Sequence, residues 1–538
     1  MSLSPSLPNF AARSIINYMS SVNPRPLAEI LAAMPSKTDA DVAFVMKAYE
    51  FSQKAHEGQK RFSGNPYFTH PAEVGFLLAS AGLDASTIAA GLLHDTIEDA
   101  GVKAETMKEM FGQEVLSLVE GVTKLGTLRY QGMERHTESL RKLFAATAKD
   151  IRVLIIKLMD RLHNARTLQF VPREEKRMRI AQETLEIYAP IADRLGMSIA
   201  KQELEDAAFP FALPKEYEKT RELLKERKKE NEKRLEKVEK DLKRELGEAS
   251  LRTFRTEARI KGIYSLYRKL ERKGWDIAKI YDIIALRIIF PELADCYAAL
   301  GVIHAHWRPV PGKIKDYIAF PKPNGYQSIH TTVYTGDGGA LEIQLRTEAQ
   351  HREALFGIAS HLTYKEVQKG TGDKRRGLNW MRQFFPSLGL GDSQAAHSET
   401  KISTTKATVP AWVKELAHAH DADASEGYLD TLKEDFFSHR VFVFTPKGDV
   451  IDLPIDATPI DFAYAVHSDV GNKMSGARVN GKMVALDTAL RNGDMVDIIT
   501  KPSAKPSRKW HDIAKTNMAK KHIRAALAAM EKKTNYAL

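Results

Sequence analysis

The chain has 538 residues, 43% of them hydrophobic, and carries 80 Lys and Arg against 69 Asp and Glu for a formal net charge of +11. This excludes a disordered chain, predicts three or four domains with real cores, and favours polyanionic partners such as nucleotides or RNA. One cysteine, Cys296, excludes a disulfide framework or a cysteine-based zinc ribbon; with no apolar run near the roughly 18 residues of a membrane span and no secretory signal, a cytoplasmic protein without a membrane partner is expected.

In chain order, residues 1–25 contain Ser and Pro and read as a flexible N-terminus. From about 40 to 205, segments such as "DVAFVMKAYEFSQKAH", "ASTIAAGLLHD" and "EEKRMRIAQETLEIYAPIADRLG" repeat apolar residues near every 3.6 positions, which predicts helices nearly throughout. One stretch, "AAGLLHDTIEDAG", sets His94, Asp95, Glu98 and Asp99 at the end of an apolar helix. On a continuous helix His94 would share a face with Glu98, and Asp95 with Asp99. Burying such charges is costly unless something pairs with them, and a metal ion is such a partner. "NPYFTHPAEV" adds His70 and "IIKLMDRLHNARTL" adds Asp160. Mixed imidazole and carboxylate ligands suit manganese, iron or zinc, and carboxylates also suit magnesium. Residues 206–250 are densely charged, with Leu235, Val238, Leu242 and Leu246 spaced as one packing stripe of a solvated helix.

After about 250 the texture becomes α/β, ending near 366: "IYDIIALRIIF", "TTVYTG" and "ALEIQLR" read as strands, with helices at 262–273 and 294–306. Arg259 and Lys261 precede a helix carrying Ser265 and Lys269, and Asp282 heads a strand. Glu342, Gln344 and Arg346 lie on one strand face and Leu341, Ile343 and Leu345 on the other, the pattern of a half-buried edge. One carboxylate from each of two strands is the minimum for holding magnesium near a triphosphate, where transfer needs mainly positioning and charge neutralisation. Asn324-Gly325 reads as a turn presenting an exposed Tyr326 beside His330, a stacking platform for a base. Lys313 and Lys315 would point to one side of an extended segment. Residues 367–437 read as a linker. A hairpin turning at Lys447-Gly448 opens a small β-rich domain at 438–500, and 501–538 is a basic helix.

A distant His, then His-Asp, then a further Asp is the order of HD-type metal phosphohydrolases. "RFSGNPYFTHP", "GLLHDTIED", "VTKLG", "DIRVLIIKLMDRLHNARTL" and "EIYAPIADRLG" resemble the hydrolase half of the RelA/SpoT homologue family, long enzymes that make and degrade (p)ppGpp. "GYQSIH" and "EIQLRT" resemble its synthetase motifs, and "FVFTPKGDVIDLPIDATPIDFAYAVHSDVG" resembles its TGS domain. The resemblance implies a multidomain chain: an all-α HD-type hydrolase domain at 26–205, charged connecting helices, an α/β nucleotidyltransferase-like synthetase domain at 251–366, and a small β-grasp-like TGS domain at 438–500. It implies that His70, His94, Asp95 and Asp160 hold Mn²⁺, that Glu98 and Asp99 prepare the attacking water, and that Arg61 and Asn164 contact the nucleotide. For the synthetase it implies Mg²⁺ on Asp282, activation of the ribose 3′-hydroxyl of GDP or GTP by Glu342, guanine stacked on Tyr326, and Asn324 and His330 on that acceptor. Arg259 and Arg287 would sandwich the adenine of ATP, and Lys261, Ser265 and Lys269 would hold its phosphates.

Members with both activities tend to carry a basic Arg-x-Lys-Asp where this chain has Lys313-Ile314-Lys315-Asp316, which keeps the charge and sides with the bifunctional class. Gly262 departs from the bulkier polar residue often found there. The TGS resemblance implies a sensor of uncharged tRNA on the ribosome, with His467 near the tRNA end. The expectation is a stringent-response enzyme that transfers diphosphate from ATP to GDP or GTP and hydrolyses the product. The alternatives are a hydrolase whose synthetase domain only regulates, and a tRNA- or ribosome-binding sensor with silent sites.

Overall fold

The computed structural model describes residues 23–123, 147, 149–280, 282–322, 324–360, 440–447, 450–491 and 493–535. The expected linker, most of the N-terminal stretch and Gly448 lie outside them. Two compact units contain the described residues, one up to 360 and the other from 440.

The first unit begins all-helical, as expected: α1 Leu27–Ala33, α2 Asp39–Ala55, α3 Thr69–Ser80, α4 Ala85–Leu93, α5 Thr96–Asp99, α6 Ala104–Thr123, α7 Arg152–Arg166, α8 Glu174–Glu183, a π-helical turn Thr184–Tyr188, α9 Ala189–Arg194 and α10 Ser198–Ala212. Helices α3, α4 and α7 are buried along most of their length, so a charge on them sees protein rather than water. One expectation fails. The helix carrying His94 does not continue to Glu98, because α4 ends at Leu93 and Asp95 sits at φ −95°, ψ −6° before α5. At the break the Thr96 hydroxyl donates to the Leu93 carbonyl at 2.7 Å.

The 35-residue α11, Pro214–Glu248, buries Leu235, Val238, Leu242 and Leu246 against a mixed sheet. That sheet comprises β1 Arg255–Ile260, β2 Ile284–Phe290, β3 Lys315–Asp316, β4 Ile329–Tyr334 and β5 Ala340–Thr347, with α12 Ile263–Arg272, α13 Leu293–His306 and α14 Glu348–Phe356 around it. Strand order is β1-β2-β5-β4-β3, with β2 and β5 parallel. Strand β1 is an addition to the sequence reading. Strand β5 is central rather than an edge, so Gln344 and Arg346 are buried along with its apolar face.

Helix α10 straddles residue 205, where a domain boundary was expected, and stitches the two halves together. The Leu195 carbonyl accepts from Ile358 N at 2.9 Å, and Asn324 Nδ2 donates to the Asp193 carbonyl at 2.9 Å. Gly196, at φ +72°, packs so closely that a Cβ there would lie 2.9 Å from the Asn324 carbonyl and 3.2 Å from Gly357 Cα. Only glycine serves both the conformation and the gap.

The second unit pairs β6 Arg440–Phe444 with β7 Val450–Pro454, the expected hairpin, and sets β8 Met474–Val479 between β9 Lys482–Val484 and β10 Val496–Thr500. Helices α15 Pro459–Val466 and α16 Ser468–Asn472 follow the hairpin. The single terminal helix of the sequence reading is two, α17 Arg508–Ile513 and α18 Asn517–Asn535. Fully buried Asp461 explains the interruption: its Oδ1 accepts from Lys515 N at 2.9 Å and Thr516 N at 2.7 Å, while Oδ2 accepts from Thr458 N at 2.8 Å.

Candidate active sites

His70 stands in the first turn of α3, His94 caps α4, Asp95 follows it, and Asp160 comes from α7. Ligand atoms of His70, His94 and Asp95 lie within 4.8 Å of one another, and His70 Nε2 is 3.2 Å from Asp160 Oδ1. His94 Nδ1 faces the Gly91 carbonyl at 2.8 Å and must donate to it. With Nδ1 committed to Gly91, the neutral ring presents the lone pair of its buried Nε2, which has no hydrogen-bond partner among the described residues and sits 3.1 Å from Asp95 Oδ1. Two acceptors held that close are unfavourable without a cation between them. The donor set thus fits a divalent metal.

Around this cluster lies a cavity of about 190 Å³ lined partly by Glu98, Asp99, Lys157 and Asn164. Burial raises the Glu98 carboxyl above its usual range, helped by Asp99 and Asp95. Burial and the neighbouring Arg61 push His70 down to about 4, keeping its ring neutral. Arg61 and Asn164, over a hundred residues apart, meet: Arg61 NH2 donates to Asn164 Oδ1 at 2.8 Å.

Three further residues complete the site. The Tyr67 hydroxyl lies 2.9 Å from Asp95 Oδ2 and 2.6 Å from Asp99 Oδ2. Lys157 donates to Asp160 Oδ2 at 2.6 Å. His163 Nδ1 lies 2.7 Å from His70 Nδ1. The available signal for the last two was spacing, since positions three before and three after Asp160 share its helix face. Arg161, next to Asp160 in sequence, turns elsewhere: it donates to Glu183 at 2.9 Å and lies over the Tyr188 ring at 4.2 Å.

The second constellation gathers on one face of the sheet. Register places Glu257 opposite Arg287 and Arg259 opposite Ala285 on β1 and β2, with Gln344 beside both Arg287 and His330. Arg287 is buried and donates to Glu257 at 3.1 Å. Arg346, 1% exposed, donates to His351 Nδ1 at 2.9 Å. Glu342 Oε1 accepts from Gln344 at 2.6 Å and lies 3.5 Å from His330 Nδ1. Asn324-Gly325 forms the expected turn, with Gly325 N donating to Lys322 O at 2.8 Å. Tyr326 differs from the exposed platform expected. It is half-buried, and its hydroxyl lies 2.8 Å from His330 Nε2. Burial first, then the cations Lys322, Arg259 and Arg346, hold His330 well below the usual imidazole range. Lys313 and Lys315 are both exposed, but only Lys315 lies in a strand.

The groups expected to take ATP phosphates are engaged with protein. Lys261 donates to Asp282 Oδ2 at 2.6 Å, and Lys269 donates to the same oxygen. Although burial works the other way, these two ammonium groups hold the Asp282 carboxyl far below its usual range. Ser265 donates to Glu205 of α10 at 3.0 Å. Asp206 of α10 accepts the first-turn amide of Tyr264 at 3.1 Å. A Cβ at Gly262 would lie 2.8 Å from the Gln202 side chain and 2.9 Å from the Asp206 carboxylate, so a larger residue would have to displace these α10 side chains.

Family profiles match three segments: the HD domain over 48–198, the region found in RelA / SpoT proteins over 258–369, and the TGS domain over 441–500. The chain is 43% identical over 504 residues to a GTP pyrophosphokinase of Myxococcus xanthus, covering 93% of this chain and 62% of that protein. It is 42% identical over 520 residues to a guanosine-3′,5′-bis(diphosphate) 3′-pyrophosphohydrolase of Aquifex aeolicus, covering 96% of this chain and 69% of that protein. It thus spans about three fifths to two thirds of the length of these curated relatives. Among solved structures, the small alarmone synthetase 2 from Bacillus subtilis aligns at 31% identity over 26% of this chain and 78% of that one, with a TM-score of 0.20. No helix among the described residues is long and apolar enough to cross a membrane.

Proposed function

The chain belongs to the RelA/SpoT homologue family, and we propose that it is a bifunctional alarmone enzyme that makes and degrades (p)ppGpp. In hydrolysis, water adds to the phosphorus bonded to ribose O3′, the P–O3′ bond breaks, and GDP or GTP leaves with its 3′-hydroxyl restored beside diphosphate. His70, His94, Asp95 and Asp160 would hold Mn²⁺, which when bound acidifies a water and neutralises phosphate charge. Glu98, with its raised proton affinity and its place in the cavity, takes the proton of the attacking water. The Tyr67 hydroxyl sits between Asp95 and Asp99 and gives its one hydrogen to one or the other.

In synthesis, the 3′-oxygen of GDP or GTP attacks the β-phosphorus of ATP, the bond to the α,β-bridging oxygen breaks, and AMP leaves. Glu342 receives the hydroxyl proton. Asp282 would take Mg²⁺ once the phosphates draw Lys261 and Lys269 off it, with Ser265 joining them after release by Glu205. Arg259 and Arg287 would flank the adenine. Tyr326, Asn324 and His330 would hold the guanine nucleotide, and Lys313 and Lys315 its phosphates. The exposed His467 of the second unit suits the proposed contact with uncharged tRNA on the ribosome.

The observation that carries the hydrolase reading is the buried His94 Nε2, without a hydrogen-bond partner among the described residues and 3.1 Å from Asp95. That Lys261, Lys269 and Ser265 are already engaged by protein carboxylates favours a second reading, hydrolase alone. Incubation with ATP, GDP and Mg²⁺, followed by Mn²⁺, with chromatography of the nucleotides, separates the two. Asp95→Asn should abolish degradation and spare AMP formation; Glu342→Gln should do the reverse. Degradation at the parent rate in Asp95→Asn refutes the metal assignment, and absence of AMP from the parent chain leaves only the second reading.

A further inference from the structure

The hydrogen-bond polarity at Arg61 fixes more than its own position. A guanidinium can only donate. Arg61 NH1 lies 3.0 Å from His163 Nδ1, so that nitrogen carries a lone pair. His70 Nδ1 lies 2.7 Å from the same atom. Two bare nitrogens would repel at that distance, so His70 Nδ1 bears the hydrogen and donates, sharing the single lone pair of His163 Nδ1 with Arg61. A neutral imidazole has one N–H, which leaves His70 Nε2 bare where it faces Asp160 Oδ1 at 3.2 Å and Asp95 Oδ2 at 3.6 Å.

The other arm of the same guanidinium reaches a second ligand. Arg61 NH2 donates to Asn164 Oδ1 at 2.8 Å, which turns the Asn164 amide so that Nδ2 donates to Asp160 Oδ1 at 2.6 Å. His163 and Asn164 are consecutive on α7, so one arginine grips both.

Metal-bound histidines commonly donate their second N–H to a carboxylate or a backbone carbonyl. His94 does so with Gly91. His70 instead donates to an imidazole, which accepts at Nδ1 in only one of its two tautomers. We propose that His163 is a positioning residue for the divalent cation, that Arg61 selects its tautomer, and that the pair keeps His70 in its ligating form. This rests on the metal reading above.

The test measures Mn²⁺ binding directly, by the electron paramagnetic resonance of free Mn²⁺, on the full chain without nucleotide. Loss of an outer partner of a metal ligand commonly costs about 10- to 100-fold in affinity, and His163→Leu should fall in that range. His163→Asn places an amide oxygen near the same point and should restore most of the affinity, which a purely structural role would not predict. Arg61→Ala touches no ligand and should still weaken Mn²⁺ by about fivefold or more, the low end of ordinary coupling. Combined with His163→Leu it should add little, because both act through one chain of bonds. Thermal melting without metal checks the fold. Should His163→Leu not fold, Arg61→Ala carries the test. Parent-like affinity in a folded His163→Leu or in Arg61→Ala, or equal loss in Asn and Leu, overturns the relay. A parent chain that binds no Mn²⁺ overturns the metal reading itself.

Discussion

Asp206 is the most informative titratable group between the two halves of the first unit. Burial first, and Glu205 beside it, raise its carboxyl from 3.8 to about 7, against the opposing pull of the Tyr264 and Ile263 amides. For an acid held protonated in the closed structure, the sign runs downward. Below 3.8 both open and closed forms are protonated and nothing changes. Between 3.8 and about 7 the open form gives up a proton that the closed form keeps, so closure weakens as pH rises. At 1.36 kcal/mol for each pH unit, the whole interval caps the cost at about 4 kcal/mol, reached above pH 7. From pH 6 to pH 8 the parent should lose about 1.4 kcal/mol, roughly a tenfold drop in the protection of amides that open with the junction. Asp206→Asn keeps an acceptor for Tyr264 N but cannot titrate, so its protection should be level across that range and should exceed the parent's at pH 8. The assay is hydrogen exchange at Ile263 and Tyr264, corrected for the intrinsic pH dependence of exchange. Parallel behaviour of parent and variant at both pH values would refute the reasoning.

Tyr326→Ala should raise the apparent KM for GDP about 5- to 150-fold if a base stacks there, since stacking is worth roughly 1–3 kcal/mol; an effect confined to ATP would mean that the two nucleotide sites are exchanged. Tyr326→Phe, which loses only the hydroxyl contact with His330, should move KM far less. Leu242→Ala removes a fully buried side chain from the stripe under the sheet and should cost about 2–5 kcal/mol, read by denaturant titration of synthetase-half tryptophan fluorescence. Asp461→Ala strands the buried amides of Thr458 and Thr516, and calorimetry should find the second unit melting earlier; an unchanged melt would deny the junction its structural weight.

The residues proposed to hold the metal stood out in the sequence because residue type and order suffice to mark them. His70, His94, Asp95 and Asp160 interrupt apolar helices, and an apolar environment tolerates such groups only when something binds them. What surrounds them was not legible. Tyr67, Lys157 and His163 acquire their roles from partners on other elements, a geometry that spacing along one helix hints at but cannot fix. The break after Leu93 leaves no mark on helical periodicity, since the apolar spacing runs on through it. In the synthetase half, "RTEARI" escaped notice as a strand because its alternation is charged and only partly buried, and β5 was misplaced at an edge because polar residues on a central strand look like residues facing water. Gly262 stood out as a departure from relatives, but its reason lies in α10, some sixty residues away in sequence.

The close passage of Gly196 past Asn324 and Gly357 bears on how the chain can be recombined. A chimera that takes its first two hundred residues from one parent and its sheet from another would set foreign side chains against a gap sized for none. Its Asn324-Gly325 turn would also hang from an unfamiliar Asp193 carbonyl. The natural unit of exchange is therefore the sheet together with α9, α10 and the turn between them. A splice placed before α9, though it cuts through the helical half, should give soluble hybrids more often than one placed at the apparent boundary near residue 205.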